Sequence, residues 1–285
     1  MLASALLHAI WSVSIKQSGD PLCFNLLQAW IGAVGLMTIA PFVPWRAIPT
    51  EVLGLVLLTG PTHALYLYWM SRAYEHGELS FVYPIARSTP AFLPLVAVPL
   101  FGEPLHPVGG LGIAVVVVGM WWVHLGPESR RQRFTGPATR YALLTLLATV
   151  VYSLVDKAAM TRLAAAAWQG PVPRAIAYSL LLHVVHATAF TPLFFRVRDV
   201  AALRSAARAQ LARAGVAALV SFVGYVLILR AFETAPASYV VAVRQSSVLF
   251  AVALGALWLR ERPSRPRVLG AAATVVGVAL IARFG

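Results

Sequence analysis

Two arginines stand where an apolar chain has least room for them. Arg87 lies in "SFVYPIARSTPAFLPL", Ser80 to Leu95, and Arg244 lies in "AVRQSSV". A guanidinium is a permanent cation with five donors and no acceptor. Near a bilayer midplane it costs about 2.5–3.5 kcal/mol on a lenient insertion scale, so it faces a protein interior or a water-filled cavity. Such a group either clamps a carboxylate or backbone carbonyls, or takes the anionic group of a small solute. Carboxylates at that depth are few, Asp156 being the main one, so positive charge is left over. Arg87 and Arg244 are therefore candidate substrate-binding residues.

Other side chains extend that set. His63 and Tyr66 share a helical face with Met70 in "THALYLYWMSRAY", and Tyr225 stands in the matching "SFVGYVLILRAF". Rings of this kind stack on or hydrogen-bond an organic solute. Tyr83, just before Arg87, and Gln245, beside Arg244, complete the candidate substrate wall. Lys16 and Lys157, the only two lysines, and Asp156 are candidates for gating or ion coupling, Asp156 as a proton carrier. Glu75 and Glu233 follow Arg72 and Arg230 by three residues and are expected to pair with them on one face. Glu103 and Glu261 are expected to tie loops to neighbouring helix ends. His183 and His186 are three apart, but a metal site needs more ligands than they supply, so no metal and no cofactor is expected.

The element that carries Arg87 is unusual. Pro84, Pro90 and Pro94 each remove a helical donor and disturb the preceding turn, giving them a structural role. Freed carbonyls are tolerable at membrane depth only where protein or water satisfies them. Ser80, Tyr83, Pro84, Arg87, Ala91 and Pro94 recur at helical spacing, and that face is where a cavity is expected. The prolines align with Ala242, Val248 and Val252 in the second half, so a broken backbone is expected in the first half alone.

The chain has 285 residues, 59% hydrophobic and 12% charged, with a net charge of +13. Its mean hydropathy is +0.76. A soluble domain carries about twice that charged fraction. Apolar segments fall near 2–17, 22–43, 52–73, 79–101, 107–125, 139–158, 173–195, 214–232, 236–259 and 266–283. Several are long enough to cross a bilayer core. The expectation is an all-α polytopic membrane protein of ten transmembrane helices, with the first segment a spanning helix rather than a signal peptide. The arginines lie mostly in connections, where they meet lipid head groups rather than nucleic acid. "RVRDVAALRSAARAQLARAG" carries arginines at helical spacing and is expected to lie along the interface. The single cysteine, Cys23, excludes an internal disulfide.

The chain also repeats itself. The stretch from Arg72 aligns without gaps with the stretch from Arg230. Glu75 matches Glu233, Ser80 matches Ser238, Glu103 matches Glu261, Gly112 matches Gly270 and Gly119 matches Gly277. "WSVSIK" likewise matches "YSLVDK". The expected division is 1–125, a basic linker 126–138, and 139–285. Five spans per half is an odd number, so the second half enters the bilayer in the opposite sense. Such an inverted repeat is a signature of alternating-access transporters.

The five-plus-five plan resembles the EamA family of the drug/metabolite transporter superfamily. The stretches ending in "LFGEPL" and "WLRERPS", each followed by a Gly-rich span, are similar to the end of each EamA repeat, and "VYPIARS" is similar to a variant within it. The resemblance implies a secondary transporter, more often an exporter, for a small organic solute in a bacterial plasma membrane, as monomer or homodimer. A carboxylated or otherwise anionic solute such as an amino acid fits the arginines; a lipid-linked or sugar-type substrate is the alternative on the same fold. Pro104 departs from the family pattern, which more often has arginine there. No P-loop supports ATP drive, and no paired aspartates, zinc motif or serine–lysine dyad supports a membrane enzyme. Counting loop arginines places both termini outside, whereas the resemblance implies both inside.

Overall fold

Asp20 shows how the sequence sets a helix boundary. Its carboxylate accepts from the backbone N–H of Leu22 at 3.0 Å and of Cys23 at 3.1 Å. Pro21 follows at the first helical position, where a missing donor costs nothing. The computed structural model describes residues 1–77, 79–124, 136–250, 253 and 265–284, and excludes the side chains of Lys16, Leu79, Ser80, Val123, His124 and Arg267. Its helices are α1 (Leu2–Lys16), α2 (Pro21–Met37), α3 (Thr50–His76), α4 (Leu79–Ala86), α5 (Thr89–Phe101), α6 (Pro107–His124), α7 (Pro137–Ala165), α8 (Arg174–Phe195), α9 (Val200–Thr234), α10 (Ala237–Arg244) and α11 (Arg265–Phe284). No strand occurs among the described residues.

Five stretches are long and apolar enough to span a membrane: Thr50–His76, Phe81–Phe101, Pro137–Ala165, Arg174–Phe195 and Val200–Thr234. Four shorter apolar helices accompany them, Leu2–Ile15, Pro21–Met37, Pro107–Trp122 and Val268–Phe284. Large apolar side chains point outward on them, Leu57 at 66% exposure and Leu95 at 71%. Water would not tolerate so much apolar surface, but lipid tails do. The protein is a multi-pass membrane protein; nine of its ten apolar segments correspond to these elements, and the other, 236–259, holds α10 and lies partly outside the described residues.

The broken backbone expected in the fourth span is present, and three differences from the sequence expectation have local causes. The fourth span is two helices, because Pro90 has no N–H for the Ala86 carbonyl and occupies the first turn of α5 instead. Ser88 stands at the break and donates to the Pro84 carbonyl at 2.6 Å. The continuous cavity face expected from Ser80 to Pro94 is therefore absent, and Ala91 is exposed. The second half breaks too: α10 stops at Arg244, and a turn at Gln245–Ser246 interrupts it without a proline. There the Ser246 hydroxyl donates to the Val243 carbonyl at 2.7 Å, competing with the helical ladder. Finally, the arginine-rich piece after Arg196 is continuous with α9, a 35-residue helix with no proline inside it.

Packing pairs the elements in a regular way. α3 lies on α7 and α8, while α9 lies on α1 and α2; α2 also meets α8, and α6 meets α11. At one end of the bundle Arg198 joins Asp20 at 2.8 Å and Glu75 at 3.0 Å. Arg72 also pairs with Glu75, as expected. Burial pushes the Asp20 carboxyl up, but hydrogen bonds from Arg198 and Cys23 outweigh it and hold it below the ordinary aspartate value. At the other end Glu103, buried in the loop after α5, caps α10. It accepts from Ala237 N–H at 2.5 Å, Ser238 N–H at 3.1 Å and the Ser238 hydroxyl at 2.7 Å. Arg230 and Glu233 do not form the ion pair expected of them, Arg230 being exposed. Glu261 and most of the 126–138 connection lie outside the described residues.

Candidate functional site

Polar side chains from seven helices converge on one cavity of about 80 Å³ open to water. A single water needs about 10–15 Å³ measured this way, so the space suits a handful of waters or a small solute. Its wall includes His8 and Trp11 of α1, Gln28 of α2, His63 and Tyr66 of α3, Tyr152 of α7, His183 and His186 of α8, Tyr225 of α9 and Arg244 of α10. The Trp11 indole donates to Gln28 at 2.8 Å, which fixes that part of the wall.

One pole of the cavity is cationic. Arg87, at the end of α4, reaches Nε2 of His8, and Arg244, at the end of α10, approaches Nδ1 of the same ring at 3.5 Å. The two helix breaks thus deliver both guanidiniums to one imidazole. A neutral imidazole has one acceptor and one donor, and a guanidinium only donates. His8 therefore satisfies one arginine and meets the other donor to donor. Arg87 also lies over the Tyr83 ring at 5.2 Å and Arg244 over the Tyr225 ring at 5.9 Å. Among the described residues no carboxylate forms an ion pair with either arginine, and Nε of Arg244 has no hydrogen-bond partner.

The other pole is acidic and closed. Asp156 is fully buried in the interior of α7, which continues to Ala165 and not to the expected end near 158. Its Oδ1 accepts from the Thr59 hydroxyl at 2.7 Å and the Tyr178 hydroxyl at 2.6 Å. Its Oδ2 accepts from the Tyr225 hydroxyl and from His63 Nε2 at 3.1 Å. His63 is stacked on Tyr152, with ring centroids 3.9 Å apart.

The structure brings Arg244, His63, Tyr66 and Tyr225 of the expected substrate set to the cavity wall. Arg87 stands behind His8, 6% exposed, while Tyr83 and Gln245 lie outside the wall, Gln245 buried. Lys157 donates to the carbonyls of Phe232 at 2.7 Å and Ala235 at 2.9 Å, closing the C-terminus of α9. It does not reach Asp156, its sequence neighbour, as an ion pair. Sequence reasoning missed His8, Thr59 and Tyr178. A histidine in the middle of the first apolar segment was the one available signal, since ionisable groups at that depth have a reason to be there. No group of three or more potential metal ligands occurs among the described residues.

Comparison with known proteins agrees with this architecture. One solved crystal structure, of a protein not further described, is similar with a TM-score of 0.67 at 18% identity, over 98% of this chain and 95% of that one. At that identity the likeness speaks for the fold alone. No curated protein matches. A model of the EamA-like transporter family matches residues 1–125 and 139–283. With nearly its whole length covered in two parts, the chain belongs to the EamA-like transporter family, within the drug/metabolite transporter superfamily.

Proposed function

We propose that this protein is a secondary active transporter of a small organic anion, a carboxylated metabolite such as an amino acid being the favoured class, and that it works by alternating access as an inverted repeat of two five-helix halves. The observation that carries the reading is the cationic pole: two guanidiniums share one imidazole with no carboxylate among the described residues to neutralise them. A solute carboxylate on the cavity wall would accept from Arg244 and relieve the donor-on-donor contact. The helix pairings support the inverted repeat. α3 with α7 and α8 answers α9 with α1 and α2, as a pseudo-two-fold axis in the membrane plane would require. Export, and a place in a bacterial plasma membrane, follow the family resemblance. Direction itself is set by the gradients imposed on such a carrier.

Proteoliposomes test the substrate class. Small carboxylates and their neutral amide isosteres are offered to wild type and to Arg244→Gln. A lost charge-assisted hydrogen bond is worth about 1.5–3 kcal/mol, or about 10–150-fold in affinity. Carboxylates should move and amides should not, with the apparent affinity of Arg244→Gln weakened in that range. Equal flux of amide and carboxylate, or unaltered affinity in Arg244→Gln, would refute the reading.

A further inference from the structure

The geometry points to His63, oriented by Asp156, as the site where this carrier takes up and releases a proton that crosses the membrane with the anion. The inference rests on the transport reading above, but it concerns the opposite pole of the cavity.

Asp156 is the obvious candidate for a proton, yet its surroundings oppose it. Four donors from three other helices occupy its two oxygens: Thr59 and His63 of α3, Tyr178 of α8 and Tyr225 of α9. A carboxylate offers about four acceptor sites, and a protonated carboxyl must give one of them up to a donor proton of its own. A proton on Asp156 would therefore displace or reverse a partner already in place. An ionised carboxylate accepts from all four at once, and it needs a cation. Lys157 follows it directly in the chain but is spent on the carbonyls of Phe232 and Ala235. Of the groups touching Asp156, His63 alone can become cationic.

His63 also has the access that Asp156 lacks. Asp156 has no exposed side-chain surface, whereas 14% of the His63 side chain is exposed, and the ring lines the cavity. Its Nε2 is committed to Asp156 as a donor, so an arriving proton binds at Nδ1. The one bond formed is Nδ1–H, no electrons change hands, and the pair passes from one negative charge to none. The proton leaves by the same bond when the cavity faces the other side.

The other groups around the ring set the sign of the coupling. Tyr152 of α7 stacks on it, Tyr225 of α9 meets it edge-on at 5.3 Å, and His186 of α8 lies 6.2 Å away. His183 of α8 and Tyr66 of its own helix line the same wall, with His8 of α1 and Arg244 of α10 across the cavity. Arg244 is the permanent cation of this group and disfavours a second positive charge at His63. An anion seated on Arg244 cancels that repulsion, so anion and proton favour one another. Tyr225 joins the two poles physically, its ring under Arg244 and its hydroxyl on Asp156 and His63. Net export then follows accumulation of the anion inside, with the proton leaving beside it.

Two measurements on the full chain decide this. In lipid nanodiscs, the 15N-histidine spectrum should contain one imidazole that titrates within about pH 5–8, is absent from His63→Gln, and shifts when acetate or benzoate is added. Infrared spectra of wild type over the same range should show no protonated carboxyl assignable to Asp156. A protonated-carboxyl band that is lost in Asp156→Asn would overturn the proposal, and this readout needs no His63 variant to fold. In proteoliposomes carrying a pH-sensitive dye, wild type should move protons in the same direction as the carboxylate. His63→Gln, whose amide still reaches Asp156, should lose the proton movement per carboxylate whatever its absolute rate. An unchanged ratio would also overturn it. If wild type moves no carboxylate, the substrate reading fails by itself, and the nitrogen and infrared spectra still decide the proton site.

Discussion

Replacing Gly277 by alanine would put a methyl group into the contact between α6 and α11. With the backbone as it stands, the new carbon would lie 2.6 Å from the Gly112 carbonyl oxygen and 2.8 Å from the Val116 backbone nitrogen. Even a close carbon–oxygen contact is about 3.3 Å, so the two helices must separate by several tenths of an ångström. Backbone atoms cannot swing aside as a side chain can. Gly119 is in the same position, its would-be methyl 2.7 Å from the Gly270 carbonyl oxygen. Overpacking of this kind costs about 1–3 kcal/mol. Alanine regains about 0.5–1 kcal/mol over glycine in a helix interior. The net loss expected is about 0–2.5 kcal/mol, a fall in melting temperature of up to about 10 °C for a chain of this size. Gly54 and Gly215 are the internal controls, because nothing lies within 4 Å of a methyl at either. There the same substitution should leave the melting temperature unchanged or raise it. Thermal unfolding in detergent, followed by the fraction that stays monodisperse, reads both signs. If Gly277→Ala is as stable as Gly215→Ala, close backbone approach does not hold α6 against α11. Gly112 and Gly277 share one contact, so alanine at both should cost less than the sum.

Two further expectations follow from the ends of the bundle. Glu103→Gln keeps the size of the α10 cap but exchanges a carboxylate acceptor of three hydrogen bonds for an amide, and should lower stability by about 1.5–3 kcal/mol in the same thermal assay; a smaller cost than that of Gly277→Ala would remove the buried cap as a major anchor. The Arg198–Asp20 contact should show a pH signature. Asp20 is held below its ordinary value of 3.8, so its contribution is complete above that value and disappears as pH falls through the lowered one. Both side chains are partly exposed, so the contribution is at most about 1 kcal/mol. The melting-temperature difference between wild type and Arg198→Gln should be constant at neutral pH and shrink in acid below about pH 4, and a difference that persists there would show that the contact is not ionic.

Much of this molecule is written in local pattern, and some of it is not. Apolar runs punctuated by glycine, proline and charge foretold where the ten segments fall, because each segment must satisfy its own backbone in lipid wherever its neighbours are. Pro84, Pro90 and Pro94 marked the break after Ala86, since a missing N–H is a local fact. The matching break at Gln245–Ser246 carried no such mark, because serine hydroxyls interrupt a helix only when packing favours them over the ladder. Arg87 and Arg244 were conspicuous by the cost of their depth. The depth of His8 was a signal too, but its role was not legible, because its meaning comes from partners 79 and 236 residues away in the chain.

The same division runs through Asp156. Its sequence showed an acid beside a lysine, a pair that suggests a gate. Its setting is otherwise: the lysine serves the end of α9, and the acid is buried under hydroxyls and an imidazole from three other helices. Residue type alone determined that a charge lay at membrane depth and required compensation. Which groups compensate it depended on helix packing, because a side chain's partners are chosen by distance in space, and distance along the chain does not report that.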